Sequence, residues 1–233
     1  MDQQGIKEMT GKGAVDALVR SGMKLGLGTG STAIHAVRHI GSLLRAGTLK
    51  DIRAVPTSYQ TLIACERWGI PLFTLNSQEI GGTLDLTIDG ADEVDGRHYC
   101  IKGGGGALLL EKIVAYASAS YAIVVDESKQ VENLGLQFPV PLELIPEARV
   151  PVIQTLEALS AVVQLREAVR KAGPVITEHG NFLLDIRFQN PVDPPVLERE
   201  LNQIPGVVEN GFFTRLRPRV FIGRFDGTLD IRE

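Results

Sequence analysis

Apolar positions in the first half of the chain fall into two rhythms that take turns. Residues 6–20 repeat every three to four positions, as a helix buried on one face does. The run MKLGLG (23–28) is short, nearly continuous and ends in glycine, as a buried strand does. STAIHAVRHIGSLLR (31–45) returns to helical spacing, with Ser31 or Thr32 suited to cap it. IRAVPT then reads as a strand and SYQTLIACERWG as a helix closed by Gly69. LDLTIDG is a strand, ALLLEKIVAYASA a helix and YAIVVDE a strand. Such alternation predicts a parallel sheet with helices on both faces.

The rhythm changes near residue 130. FPVPLELIP breaks it with three prolines, and VPVIQTLEAL predicts a helix. AVVQLREA, GPVITEHGN and FLLDIRFQ are short β-rich runs, with HGN (179–181) as a hairpin turn. DPPVLERELNQI predicts a helix with proline in its first turn. The tail FIGRFDGTLDIRE regains strand character and is a candidate to rejoin the first sheet. The expectation is an α/β protein with a larger domain of residues 1–130 plus 205–233. A smaller α+β domain spans 131–204.

Composition narrows the function. The 233 residues carry 24 Lys and Arg against 28 Asp and Glu, a net charge of −4, and 44% are hydrophobic. This is globular, and it argues against the basic footprint of a nucleic-acid binder. The RLRPR cluster (215–219) is short and reads as a solvated face or interface. No apolar run approaches the roughly 18–20 residues that span a bilayer, and the N-terminus has no apolar signal core. Cys65 and Cys100 have no metal spacing and read as reduced thiols. A cytoplasmic protein without a membrane partner is expected.

Candidate chemistry gathers at predicted strand ends. GLGTGSTA (26–33) lies between a strand and a helix, where free amides and the hydroxyls of Ser31 and Thr32 suit a phosphate. Gly28, Gly30 and Ala33 fit G-x-G-x-x-A, but the next strand ends AVPTS, without the acid that would bind a ribose. A phosphate cradle or a plain tight turn remains, and no cofactor is expected. TIDGADEVDG (87–96) packs Asp89, Asp92, Glu93 and Asp95 together. Crowded carboxylates serve acid catalysis, a divalent metal or simply a polar turn. Lys102 nearby supplies a fixed cation, favouring the first use.

Four glycines follow Lys102. Each costs about 0.5–1 kcal/mol more than alanine to order, so four exceed what a turn needs, and close backbone approach to a ligand accounts for the excess. Glu111, on the helix that follows, has Ala107, Leu108, Val114 and Ala115 at helical contact spacing and no base among them. It borders the apolar stripe of Leu110, Ile113, Val114 and Ala117. Partial desolvation there suits a general base; a boundary glutamate without a role is the alternative. Together these features suggest proton chemistry on a small phosphorylated molecule.

GLGTGSTA, DGADEVD, IKGGGGALLLEKI and DESKQ, in that order, closely resemble type A ribose-5-phosphate isomerases, and the likeness continues through PLELIPEAR, ITEHGNFLLDI and IPGVVENGFF. The resemblance covers nearly the whole chain. It implies a Rossmann-like domain carrying an inserted ferredoxin-like α+β domain. It implies a metal-free interconversion of ribose 5-phosphate and ribulose 5-phosphate through an enediolate. Glu111 would be the base, and Asp89 and Asp92 would handle sugar hydroxyls, one of them assisting ring opening. Lys102 and the amides of Gly103, Gly104 and Gly105 would stabilise the oxyanion. Thr29, Gly30, Ser31 and Thr32 would hold the phosphate. Gly90, Ala91 and Lys129 would touch substrate, and Lys7 matches a basic N-terminal position only loosely. A homodimer or homotetramer is implied. Leu110 and Gly106 depart from the family pattern, which often has a polar residue and an alanine there. An aminosugar-phosphate deaminase would want a histidine in the site motifs GLGTGSTA, DGADEVD, IKGGGGALLLEKI and DESKQ, and a phosphosugar-binding regulator would want a DNA-binding segment; neither is present.

Overall fold

A computed structural model describes residues 2–233 and divides the chain into two compact units. One takes the chain up to Ala91, Leu110–Lys129 and Leu216–Glu233; the other takes Asp92–Leu109 and Gln130–Arg215. Residues 92–109 and 205–215 therefore group with the second unit, whereas the change of rhythm suggested a single excursion over 131–204.

The first unit contains α1 (Gln3–Leu18), β1 (Lys24–Leu27), α2 (Ala33–Arg45), β2 (Arg53–Pro56), α3 (Tyr59–Trp68), β3 (Leu84–Asp89), most of α4 (Leu108–Tyr116), β6 (Ser118–Asp126), β12 (Arg219–Gly223) and β13 (Leu229–Arg232). Their sheet runs β13-β12-β6-β3-β1-β2, parallel except for the β12–β13 pair, so the tail does rejoin it. Leu25, Leu27, Leu86, Ile88, Ala122 and Val124 are buried in its core. Such continuous apolar strands belong to a sheet covered on both faces. Local signals set the helix ends. Ser58 Oγ accepts from Thr61 N at the start of α3, and Gly69 closes it in the left-handed region at φ 70.

The second unit holds β4 (Glu93–Val94), β5 (Cys100–Ile101), β7 (Val140–Leu144), α5 (Arg149–Ala158), β8 (Val162–Leu165), β9 (Phe182–Arg187), α6 (Pro194–Leu201), β10 (Val207–Asn210) and β11 (Phe212–Phe213). A four-stranded antiparallel sheet runs β10-β7-β9-β8, with α5 after its first strand and α6 after its third. That is the βαββαβ, ferredoxin-like order. Strand β7 falls inside FPVPLELIP, where prolines had masked it; Pro141 sits in its ladder, and its carbonyl accepts from Gly211 N. GPVITEHGN forms only isolated bridges before the turn at Gly180. A small third sheet, β11-β5-β4, carries the chain toward the glycine loop.

Both cysteines are buried and outside any disulfide, and burial pushes the Cys65 thiol up to about 12. Among the described residues no helix is long and apolar enough to cross a membrane.

Candidate active site

The order of the first sheet dictates where its site lies. The chain steps from β1 outward to β2, then returns to the other side of β1 and continues through β3, β6 and β12. Winding therefore reverses between β1 and β3, and ligands of open α/β sheets sit beyond the strand ends at such a point. The turn after β1 and Asp89, the last residue of β3, meet there.

Asp89 is fully buried. Its Oδ1 accepts from Thr29 N at 3.0 Å and from Gly90 N at 2.7 Å, so one carboxyl oxygen knits the two strand ends together. Register explains the glycine beside it. Gly28 N bonds Ile88 O, and a Cβ on Gly28 would stand 2.0 Å from Asp89 Oδ1. The hydroxyl of Thr29 joins Thr57, Ser58 and Thr61 at 2.8, 2.6 and 3.3 Å. Gly30 N donates to Gln60 Oε1 at 3.0 Å, and Lys7 Nζ donates to Ser31 Oγ at 2.9 Å. Thr32 occupies the cap position of α2 without a side-chain capping bond. Dipoles at the start of α2 favour an anion at this turn.

The crowded acids separate by task. Glu93 accepts from Gly135 N and Phe138 N at 2.8 and 2.6 Å, pinning the 135–138 loop. Asp95 accepts from Arg97 N and Tyr99 N, both at 2.9 Å, and fastens its own turn. Asp92 instead accepts from Gly104 N at 2.7 Å, coupling it to the glycine loop within the second unit. Gly103 (φ 100) and Gly106 (φ 82) turn that loop through left-handed backbone. A Cβ on Gly104 would come within 2.6 Å of Asp92 Oδ1. Lys102 is buried, its backbone N bonded to Gly211 O and its Nζ 5.4 Å from the centre of the Phe213 ring.

Glu111 lies in the first turn of α4 and is only 4% exposed, a deeper burial than its place at the edge of an apolar stripe suggested. Ile113, assigned to that stripe, is exposed instead. Leu110 packs against the apolar cluster of Val55, Ile80, Leu84 and Val114, which gives that departure a packing role. Lys129 ends a short 3-10 turn directly after β6, and Gly90 and Ala91 continue from Asp89. His98 is buried with its backbone at φ 66 and closes the Asp95 turn, its N bonded to Asp95 O at 3.1 Å. Among the described residues no three His, Cys, Asp or Glu side chains are grouped to hold a metal ion.

Sequence reasoning missed Gln60 and the hydroxyls of Thr57, Ser58 and Thr61. The signal was present, because PTSYQT is rich in polar oxygens and follows the strand beside β1. Asp89 and the glycine-rich turn ahead of α2 thus lie in the first unit, and the lysine leading into the glycine loop in the second. The family model of ribose 5-phosphate isomerase A (phosphoriboisomerase A) matches residues 53–227. The chain belongs to that family.

Its relatives extend the match to the full length. The ribose-5-phosphate isomerase A of Treponema pallidum is 53% identical, covering 100% of this chain and 94% of its own. That of Treponema denticola is 52% identical, with 99% of both covered. Among solved structures, a D-ribose-5-phosphate isomerase in complex with phospho-erythronic acid superposes with a TM-score of 0.94 at 39% identity over the whole of both chains. Ribose 5-phosphate isomerase A from Methanocaldococcus jannaschii gives 0.92 at 40%, again over both whole chains. This family member is an enzyme, an isomerase, and its mixed fold with a central parallel sheet is that of the family.

Proposed function

We propose that the isomerase interconverts D-ribose 5-phosphate and D-ribulose 5-phosphate through an enediolate, with Glu111 as the general base and no metal. The observation that carries the reading is Glu111 itself, buried in the first turn of α4 directly after Lys102 and its glycine loop. A carboxylate shielded from bulk water can pass a proton between two carbons without losing it to solvent. In the open-chain aldose it removes the C2 proton; the bonding pair forms C1=C2, and the carbonyl pair moves to O1. The same proton returns to C1 while the O2 proton moves to O1, leaving the ketose with no net gain or loss.

The anionic O1 needs a cation and donors, which Lys102 and the loop amides supply. Gly104 N already serves Asp92, so Gly105 N is the donor best suited to this task. Asp89 and Asp92 bind hydroxyls, and one of them assists ring opening. The turn of Thr29, Gly30, Ser31 and Thr32, at the positive end of α2, holds the phosphate, and Lys129 adds a further contact. Phospho-erythronic acid, bound by the similar isomerase, supports this chemistry, because its carboxylate is a planar two-oxygen anion as the enediolate is. The same reading expects a cytoplasmic homodimer or homotetramer.

The test is ribulose 5-phosphate formation in EDTA by the protein and its Glu111→Gln variant. Turnover by the wild type, a loss of about a thousandfold in the variant, and phospho-erythronic acid binding within about threefold would uphold it. Near-normal turnover by the variant would remove Glu111 from the mechanism, and loss of turnover in EDTA would remove the metal-free step.

A further inference from the structure

The glycine loop is held by a residue the reaction does not name. Arg166, just after β8, is bound in a fork by Asp185 of β9: Nε to Oδ2 at 2.9 Å and Nη2 to Oδ1 at 2.5 Å. The pair is largely shielded, with side-chain exposures of 15% and 22%. Register brings them together, because Gln164 and Leu165 face Asp185 and Leu184, and Arg166 N continues the ladder to Leu183 O. The remaining nitrogen, Nη1, donates to two carbonyls at once, Gly103 O at 3.0 Å and Gly104 O at 3.1 Å.

These two bonds fix more than two oxygens. A trans peptide is planar, so its N–H points opposite to its C=O. The carbonyl of Gly103 shares its plane with the N–H of Gly104, and that of Gly104 with the N–H of Gly105. Drawing both carbonyls to one guanidinium turns both N–H groups the other way. Gly104 N accordingly meets Asp92 Oδ2 at 2.7 Å. Gly105 is exposed, and among the described residues its N–H makes no hydrogen bond. Within the loop, Gly106 N also bonds Gly103 O at 2.9 Å, so the turn helps hold the first plane, whereas the Gly104 carbonyl is held by Arg166 and the glycines offer no side chains to add to it. Arginine suits the task better than lysine, because its planar fork can grip a carboxylate and still present another nitrogen.

We propose that Arg166, locked by Asp185, is the positioning residue of the glycine loop, orienting the Gly104 amide toward Asp92 and the Gly105 amide toward the substrate's anionic oxygen. The second half of this assignment rests on the isomerase reading above; the first half does not.

The experiment compares Arg166→Lys, Arg166→Ala and Asp185→Asn with the wild type in the full chain. It measures kcat and KM for ribose 5-phosphate, the thermal midpoint, and the amide resonances of Gly103–Gly105. Donors to a developing oxyanion act on the transition state, so kcat should fall about ten- to a hundredfold in Arg166→Lys while KM stays within about threefold. Asp185→Asn should fall less, in the same direction. Guanidinium at millimolar concentration should restore part of the Arg166→Ala activity and none of that of Glu111→Gln. The Gly104 and Gly105 resonances should shift in Arg166→Lys.

Folded variants with wild-type kcat and unmoved glycine resonances would overturn the proposal. So would a kcat loss that disappears on cooling well below each variant's thermal midpoint, since that is global destabilisation. Should Arg166→Ala fail to fold, Arg166→Lys and Asp185→Asn carry the same comparison. A wild type that binds phospho-erythronic acid but does not isomerise would sink the proposed function, and the glycine resonances would still decide whether Arg166 orients the loop.

Discussion

The turn after β1 and the glycine loop after β5 are both rich in glycine, and both precede a helix, but they are held in opposite ways. Apart from Lys7 of α1, which donates to Ser31, the partners of the turn come from or directly after strand ends lying side by side in one sheet. Asp89 ends β3, while Thr57, Ser58, Gln60 and Thr61 follow β2. Once the parallel register forms, these groups have nowhere else to go. Before the glycine loop there are only two residues of strand, and a principal clamp of the loop, Arg166, arrives from more than 60 residues along the chain. A regular sheet places a site by repetition; an irregular segment needs a dedicated side chain to place it.

That difference should show first in the two close glycine contacts. Gly28→Ala would put a methyl 2.0 Å from Asp89 Oδ1 and 2.5 Å from Asp89 Cα. Backbone cannot step aside as a side-chain end can, so the strand ends must part. We expect a loss of about 2–3 kcal/mol in urea unfolding and of about a hundredfold or more in turnover. A variant of wild-type stability would show that the β1–β3 contact is looser than the register implies.

Gly104→Ala is the milder counterpart. Its methyl would meet Asp92 Oδ1 at 2.6 Å and Phe138 Cζ at 2.9 Å, both at the ends of movable side chains. Stability should fall by about 1 kcal/mol or less, while turnover drops about tenfold as Asp92 is displaced. Were the stability loss to match that of Gly28→Ala, the loop would be as rigidly built as the sheet and the contrast would fail.

The same contrast explains what could be read from the chain. Alternating β and α patterns foretold the parallel sheet, and with it the positions of Asp89 and the 28–32 turn, because periodic burial is written into neighbouring residues. Glu111 stood out because its helical neighbours are apolar. Strand β7 was hidden, since prolines carry a local signal against strands that tertiary pairing with β9 and β10 overrides. Glu93 and Asp95 were indistinguishable from Asp92 by type; what separates them is which backbone amides each one meets. Arg166 gave no signal at all, because nothing near it in sequence marks an arginine whose partners are carbonyl oxygens in a distant loop.

The smallest expected effect is a response to acid on one side of the comparison only. His35 lies on α2, the helix that follows the 28–32 turn, and is 4% exposed. Burial, and then the positive charge of Arg38, hold its pKa below the ordinary 6.5; Glu8 opposes this, and Lys12 and Lys7 add to it. Its Nε2 lies 3.0 Å from Gln4 Nε2, where a neutral ring can accept and an imidazolium cannot. A folded pKa below the unfolded one means that the unfolded chain binds the proton more readily. The contribution of His35 is therefore fully present above about pH 6.5 and is lost as pH falls below it toward the folded pKa. Urea midpoints of wild type and His35→Gln should converge between pH 7.5 and 5.5, and amides early in α2 should exchange faster in acid before those of the glycine loop do. A constant gap between the two midpoints would mean that His35 titrates as it does in the unfolded chain, and the turn would then have no acid response of its own.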